Sequence, residues 1–129
     1  MGIGKNMTRV DAFDKVTGSA RYTADLEPQG LLVAKVIRST IANGVVKSFD
    51  LEEARKVPGV VKIVTCFDVP DIQFPTPGHP WSVETAHQDI ADRKLLNTRV
   101  RVYGDDIAAV IAEDDIVAAR AARLVKVEY

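Results

Sequence analysis

The stretch IAAVIAEDDIVAARAARLVKVEY, residues 107–129, decides the fold class of this chain. Its first six residues are apolar, which predicts a buried strand over 107–112. The acidic run 113–115 then opens an alanine-rich helix, because negative charge is stabilising at a helix N-terminus. Alternating apolar and charged residues over 125–129 predict a half-exposed strand. The stretch therefore predicts a strand, a capped helix and a second strand.

A similar unit lies in the middle of the chain. Asp50 can accept a hydrogen bond from the free amides of a helix start, and Glu52 and Glu53 place negative charge in the first turn. We expect a short helix over 51–56, ended by Pro58-Gly59, and a strand over 60–66. The apolar run at 31–37 predicts another buried strand. These elements together predict an α+β fold: a mixed, mostly antiparallel sheet with two short helices packed on it.

Three other segments are less regular. Asn43-Gly44 is a tight-turn dipeptide, so we expect residues 45–49 to form an antiparallel hairpin with the strand at 31–37. Residues 95–103 predict a further strand. Residues 68–91 contain four of the six prolines and no sustained period, which predicts a long irregular loop.

The glycine content of the first thirty residues separates them from the rest. They show little apolar periodicity, so we predict that residues 1–30 form an extended arm with one short strand at 20–23. Residues 31–129 then form the packed α+β domain. A chain of 129 residues has the length of one ordinary domain.

Composition and charge exclude several classes of function. Seventeen basic and eighteen acidic residues give a net charge of −1, so no positive field draws the chain to nucleic acid or anionic lipid. Hydrophobic residues make up 47% and charged residues 27%, the balance of a soluble globular domain. The single Cys66 cannot form an intrachain disulfide, and no signal peptide is visible. We therefore expect a cytoplasmic protein without nucleic-acid or membrane partners.

Few side chains are candidates for chemistry. Cys66, His79, His87 and Asp89 could form a metal site, but their spacing matches no tetrahedral pattern, and solvated loop histidines are the simpler interpretation. His87 could pair with Cys66 or Asp89 for acid–base or nucleophilic chemistry, although a lone loop histidine is more often a surface residue. Trp81 either anchors a partner or covers the edge of the domain's own core. The residues alone predict no catalytic, cofactor-binding or metal site.

Short motifs spread along the chain carry a family resemblance. They are RVDA at 9–12, KVTG at 15–18, ARYTAD at 20–25, PGV at 58–60, DVP at 68–70, VIAE at 110–113 and VKVEY at 125–129. In this order and spacing they resemble the start of the large, molybdopterin-binding subunit of the molybdenum hydroxylases, the xanthine dehydrogenase and aldehyde oxidase family. Two segments depart from the family pattern: TIAN at 40–43 replaces proline-histidine-alanine-histidine, and Asp105-Asp106 replaces a glutamine- or glutamate-proline pair.

The resemblance implies an α/β-hammerhead domain, a small α+β unit that precedes the molybdopterin-binding lobes. The implied full-length parent hydroxylates purines or aldehydes with a molybdopterin cofactor, and passes electrons through iron–sulfur clusters to FAD on partner domains or subunits. The family's cofactor-contacting residues and its general-base glutamate lie beyond the matched region. No residue here is therefore given a catalytic or cofactor-binding role, and we expect the isolated chain to be inactive and to bind no cofactor.

The implied partners are the remaining lobes of the large subunit and the iron–sulfur and flavin subunits of the parent complex. The alternative to such a structural domain is a free-standing, non-catalytic protein-interaction module that uses the arm and the loop around Trp81. We also expect weak homo-oligomers of the isolated chain, because the last strand offers an open edge and the arm has few ways to bury its apolar residues.

Overall fold

Short strands dominate the part of the chain that the computed structural model describes, residues 3–75 and 91–129. In chain order the elements are α1 (Ala12–Thr17), a 3-10 helix (Thr23–Asp25), β1 (Val33–Arg38), β2 (Gly44–Val45), β3 (Ser48–Asp50), α2 (Glu52–Arg55), β4 (Val60–Thr65), β5 (Phe74–Pro75), β6 (Ala91–Arg93), β7 (Arg99–Val100), β8 (Asp106–Ala112), α3 (Asp115–Leu124) and β9 (Lys126–Glu128). The chain divides into two compact units, Met1–Leu31 and Leu32–Tyr129.

The first unit contains helical turns instead of the predicted strand. Helix α1 ends at Gly18, whose φ of 76° lies in the left-handed region that glycine adopts without steric cost. The strand expected at 20–23 is wrong. The Tyr22 amide donates to the Asp25 carboxylate at 2.8 Å, and the Asp25 amide donates to the Tyr22 carbonyl at 3.0 Å. These local bonds close a turn and leave no extended segment for cross-strand pairing.

The second unit is built on a three-stranded sheet in the order β1-β8-β4. Strand β8 pairs antiparallel with both neighbours: Val36 and Val64 each lie opposite Ala109. The central position of β8 fits its composition, because Ile107 on one face and Val110 on the other are both fully buried, each in a different apolar cluster.

Both sequence units with the order strand, helix, strand are present, and they pair with each other. Strand β3 pairs with β9 and β4 pairs with β8, all antiparallel, while α2 and α3 pack together on the sheet. The acidic residues lie at the helix starts as predicted. Asp114, from the acidic run, is the N-cap of α3, and its carboxylate accepts from the Val117 amide at 2.7 Å. The Asp50 carboxylate accepts from the Glu52 amide at 3.2 Å, although the N-cap position of α2 itself is Leu51. The predicted α+β class with antiparallel strands and short helices is confirmed.

Two apolar clusters fill the second unit. The first joins the helices to one sheet face through Ala54, Val57, Ile63, Val110 and Ala121. The small alanines let α2 and α3 approach the sheet closely. The second cluster lies under the β2-β7 and β3-β9 ladders and contains Val46, Cys66, Leu96, Val100 and Ile107. Among the described residues, the helices thus cover one face of the sheet, and the other face is covered only in part.

Three predictions about the less regular segments are corrected. The hairpin at Asn43-Gly44 is wrong, because β1 pairs with β8 while β2 pairs with β7. Burial of β1 against an apolar strand outweighs local turn chemistry. The strand expected at 95–103 is limited to β7, since the Asp105 carboxylate accepts from the Arg101 and Val102 amides at 2.7 and 3.2 Å and bends the chain.

The proline-rich segment also contains structure that its composition does not indicate. Strands β5 and β6 pair antiparallel, with Phe74 opposite Arg93. The expectation of an irregular loop over 68–91 is therefore wrong at residues 74–75 and at residue 91, while residues 68–73 form no helix or strand, as expected. Residues 76–90 lie outside the described part of the chain.

Candidate functional site

Cys66 is the one sequence-predicted candidate for chemistry whose surroundings the structure describes. It is 7% exposed and lines a small cavity of about 150 Å³ with Val69 and Leu96. Burial raises the pKa of the Cys66 thiol, and the negative charge of Asp68 acts in the same direction. A thiol that is held protonated is a poor nucleophile and a poor metal ligand.

The other candidates, His79, His87, Asp89 and Trp81, lie outside the described residues. Within residues 3–75 and 91–129, no three His, Cys, Asp or Glu side chains lie close enough together to hold a metal ion. No helix in this part of the chain is long and apolar enough to cross a membrane. The described residues thus contain no such cluster of metal-ligating side chains, and the expected absence of catalytic, cofactor-binding and metal sites stays a prediction.

A buried hydroxyl that the sequence did not single out organises the turn after β7. Ser39 is 2% exposed, and its Oγ accepts hydrogen bonds from the Gly104 and Asp105 amides, each at 3.1 Å. The same hydroxyl has one proton to donate, and two carbonyls lie within reach of it, that of Val102 at 3.2 Å and that of Ile41 at 3.3 Å. Gly104 makes this approach with a φ of 92°. No local sequence signal marks Ser39, because its partners lie far along the chain.

A polar pocket of about 440 Å³ opens beside this turn. Cations and carboxylates both line it: the Arg38 Nε lies 3.2 Å from the Asp106 carboxylate, while the Arg101 guanidinium donates to the neutral backbone carbonyl of Asp92 at 3.5 Å. Asp105 also lines the pocket. Carboxylates and cations are interspersed along its wall, so the pocket has no strong preference for an anion or a cation.

The second unit has an apolar sheet surface that the described residues cover only in part, named here the open sheet face. Cross-strand pairing places Ala34, Val36, Ala109 and Ile111 on the side of the sheet opposite the helices. Ala34 and Val36 are exposed and the two β8 residues are less exposed. Lys62, also opposite Ile111, marks its rim. Apolar surface rimmed by polar residues is typical of a protein-interaction site.

The first unit has a second such surface. None of its described residues is buried, and Phe13 and Val16 of α1 are 73% and 83% exposed. The described part of the chain therefore exposes apolar side chains in both units.

Comparison with known proteins gives consistent matches. A family model for the aldehyde oxidase and xanthine dehydrogenase a/b hammerhead domain matches residues 17–129. The xanthine dehydrogenase molybdenum-binding subunit of Escherichia coli O157:H7 is 50% identical over 121 residues, which cover 94% of this chain and 16% of that protein.

Two solved structures share the fold. Quinoline 2-oxidoreductase from Pseudomonas putida 86 superimposes with a TM-score of 0.81 at 29% identity, covering 98% of this chain and 16% of its own. Aldehyde oxidoreductase from Desulfovibrio gigas superimposes with a TM-score of 0.75 at 34% identity, covering 93% of this chain and 14% of its own. The chain thus spans about one sixth of the length of these larger proteins, 16% in the case of the Escherichia coli subunit.

Proposed function

The chain belongs to the aldehyde oxidase and xanthine dehydrogenase a/b hammerhead domain family, and we propose from this membership that it is a structural domain of a larger molybdenum hydroxylase subunit. The family resemblance and the hammerhead fold predicted from the sequence are confirmed. The observation that carries the proposal is the 50% identity to a molybdenum-binding subunit of which this chain spans 16%.

The structural role is supported by what the described residues offer. Among the described residues no three His, Cys, Asp or Glu side chains lie close enough together to hold a metal ion, and the one thiol is buried. These residues do offer the open sheet face, which can pack against other lobes of the same subunit. We propose that the cofactor is held by those other lobes and that this domain helps to frame them.

The parent's activity is proposed at the level of its class. It oxidatively hydroxylates purines or aldehydes, uses a molybdopterin cofactor, and passes electrons to iron–sulfur clusters and FAD on partner domains or subunits. Support comes from the relatives, whose names include a xanthine dehydrogenase molybdenum-binding subunit and an aldehyde oxidoreductase. A reducing cytoplasm is the proposed location, because the chain's single cysteine is free and buried.

The second candidate function is a free-standing, non-catalytic interaction module. The exposed apolar residues of the first unit favour it, since such surfaces serve equally well to bind a separate protein. The two candidates differ in the gene sequence expected downstream of the Tyr129 codon and in the ligands and partners expected of the gene product.

The decisive experiment reads the gene beyond the Tyr129 codon and analyses the purified gene product for molybdenum by mass spectrometry. We expect an open frame several times longer and molybdenum close to one per subunit, with none bound by the 129-residue chain. A stop codon directly after Tyr129 supports the interaction module instead. Stoichiometric molybdenum in the 129-residue chain contradicts the structural role.

A further inference from the structure

The dipeptide Asn43-Gly44 does not form the tight turn that its sequence favours. Asn43 lies in a bend, and strand β2 begins at Gly44. A two-residue hairpin turn of this composition requires a positive φ at both residues. Among the described residues only glycines have a positive φ, and Gly44 is not one of them. The dipeptide therefore has no role in turn formation here.

Close packing favours glycine at position 44. A Cβ atom at this position would lie 2.6 Å from the Cδ1 atom of Ile41, so that one of the two atoms would have to move. Ile41 packs in turn against the apolar cluster that contains Val46 and Val100. The packing thus places a glycine directly after an asparagine.

An asparagine that precedes a glycine has an intrinsic route to covalent change. The nitrogen of the following residue attacks the side-chain carbonyl carbon and forms a new C–N bond, and the side-chain nitrogen leaves as ammonia with the proton of the attacking amide. Water then opens one of the two C–N bonds of the cyclic imide and leaves aspartate or isoaspartate. Glycine permits the attack because it has no Cβ atom in the way. The reaction needs water and no other reactant.

The ladder between β2 and β7 restrains the attacking nitrogen. Gly44 lies opposite Val100, and two residues further along the Val46 amide donates to the Thr98 carbonyl at 2.8 Å. Hydrogen-bonded pairs recur at every second residue of an antiparallel ladder, so the amide of Gly44 is directed at the carbonyl of Val100. The nitrogen is free to attack only when this ladder opens. Strand β2 has two residues, and such short elements open more easily than a core strand.

Arg99 holds the group that is attacked. Its Nη2 donates to the Asn43 Oδ1 at 3.1 Å. Negative charge develops on this oxygen during the attack, and a guanidinium donor stabilises that charge. The aspartate product leaves a carboxylate beside Arg99, whereas the isoaspartate product adds a carbon atom to the main chain directly before β2. Either product adds a negative charge to a chain of net charge −1.

We propose that Asn43 is a site of spontaneous deamidation and that opening of the β2-β7 ladder sets its rate. The inference does not depend on the proposed function, because the reacting atoms and the ladder all lie within the second unit. The other two asparagines of the chain are internal controls. Asn6 precedes Met7 and Asn97 precedes Thr98, and the side chains of these following residues hinder the same attack.

Peptide mass spectrometry of the purified full gene product tests the proposal during incubation at mildly alkaline pH. In guanidinium chloride we expect Asn43 to deamidate at least about tenfold faster than Asn97, because only Asn43 precedes a glycine. In the folded product the ladder should slow the reaction at Asn43 by at least about tenfold. Asn43 should still be the first of the three asparagines of residues 1–129 to change.

Two matched pairs of variants separate the chemistry from the ladder. The double variant Ile41→Val, Gly44→Ala adds the hindering Cβ atom and removes the Cδ1 atom that it would meet, so deamidation should fall at least about tenfold even in guanidinium chloride. Ile41→Val alone should keep the original rate. Val45→Gly weakens the strand and should raise the rate in the folded product about threefold, with no change in guanidinium chloride. Val45→Ile should change neither rate.

Each outcome decides part of the proposal. A folded product in which Asn97 changes before Asn43 overturns the site, as does an unchanged rate in the Ile41→Val, Gly44→Ala variant. Aspartate without isoaspartate shows direct hydrolysis and overturns the imide route. Equal rates in the folded and unfolded product, or no acceleration by Val45→Gly, overturn control by the ladder. A mixture of both products at Asn43, formed faster once the ladder is weakened, confirms the proposal.

Discussion

Replacing Ser39 with alanine should destabilise the domain more than the removal of a single hydroxyl group suggests. The substitution removes a hydroxyl that accepts from the Gly104 and Asp105 amides and donates to a carbonyl, at a position that is 2% exposed. Each hydrogen bond is worth about 0.5–1.5 kcal/mol net. The three lost bonds alone thus set an upper value of about 4.5 kcal/mol.

Neither amide is orphaned by the change, which lowers the expected cost. The Gly104 amide also donates to the Ser39 carbonyl at 3.1 Å, and the Asp105 amide also donates to the Val102 carbonyl at 3.3 Å. Because both amides keep a second acceptor, we expect a loss of about 2 kcal/mol in the free energy of unfolding. With a urea dependence of about 1.5 kcal/mol per molar, the midpoint of unfolding should fall by about 1.3 M.

Ser48→Ala is the matched control. The Ser48 hydroxyl donates to the Glu128 carboxylate at 2.9 Å, but on an exposed ladder where water replaces the lost partner. Its free energy of unfolding should change by less than about 0.5 kcal/mol. Equal midpoint shifts for Ser39→Ala and Ser48→Ala would refute the reasoning, because burial would then make no difference to the value of a serine hydroxyl.

Three further predictions concern the core, pH and thiol reactivity. Ile107→Ala should lower the free energy of unfolding in urea by about 3–4 kcal/mol, and Ile107→Val by about 1 kcal/mol, since the side chain is completely buried. Equal losses for the two variants would contradict this prediction, because the surrounding side chains would then have closed the cavity. The hydroxyl and amide of Thr65 donate to Asp68 and hold the pKa of this carboxyl below its usual value. The ionised carboxylate therefore stabilises the fold above about pH 4. This stabilisation is lost as the pH falls through the lower pKa of the folded state. Thermal unfolding of Asp68→Asn should therefore depend less on pH below about 4 than unfolding of the unmodified chain. Native Cys66 should react with a thiol reagent at least about 100-fold more slowly than after unfolding in urea, and equal rates would contradict its burial.

The elements that sequence reasoning predicted well are those whose signals are local. Asp114 and Asp50 could be recognised as helix caps because the amides that they accept from lie within three residues. Strand β8 was recognisable because its apolar run is continuous. Capping and continuous apolarity are properties of a short window, so no knowledge of the distant chain is needed to recognise them.

The failures concern choices between partners. Asn43-Gly44 favours a hairpin, but the partner of β1 was decided by which distant strand buries the most apolar surface. Helix α1 was missed for a different reason: six residues are too few to show a period, and Gly18 was interpreted as a mark of irregularity when it is the cap. Ser39 could not be found at all, since its network joins segments that are remote in sequence.

The central position of β8 sets the order in which this domain can assemble on the ribosome. Val33 pairs with Ala112, and Val60 pairs with the same residue, so β1 and β4 are both synthesised before their common partner. A strand that has emerged without its partner exposes unpaired backbone and apolar side chains to solvent. The nascent chain therefore cannot complete its sheet until β8 has emerged, and β1, the first of the three strands to be made, is available longest to a chaperone that binds extended apolar segments.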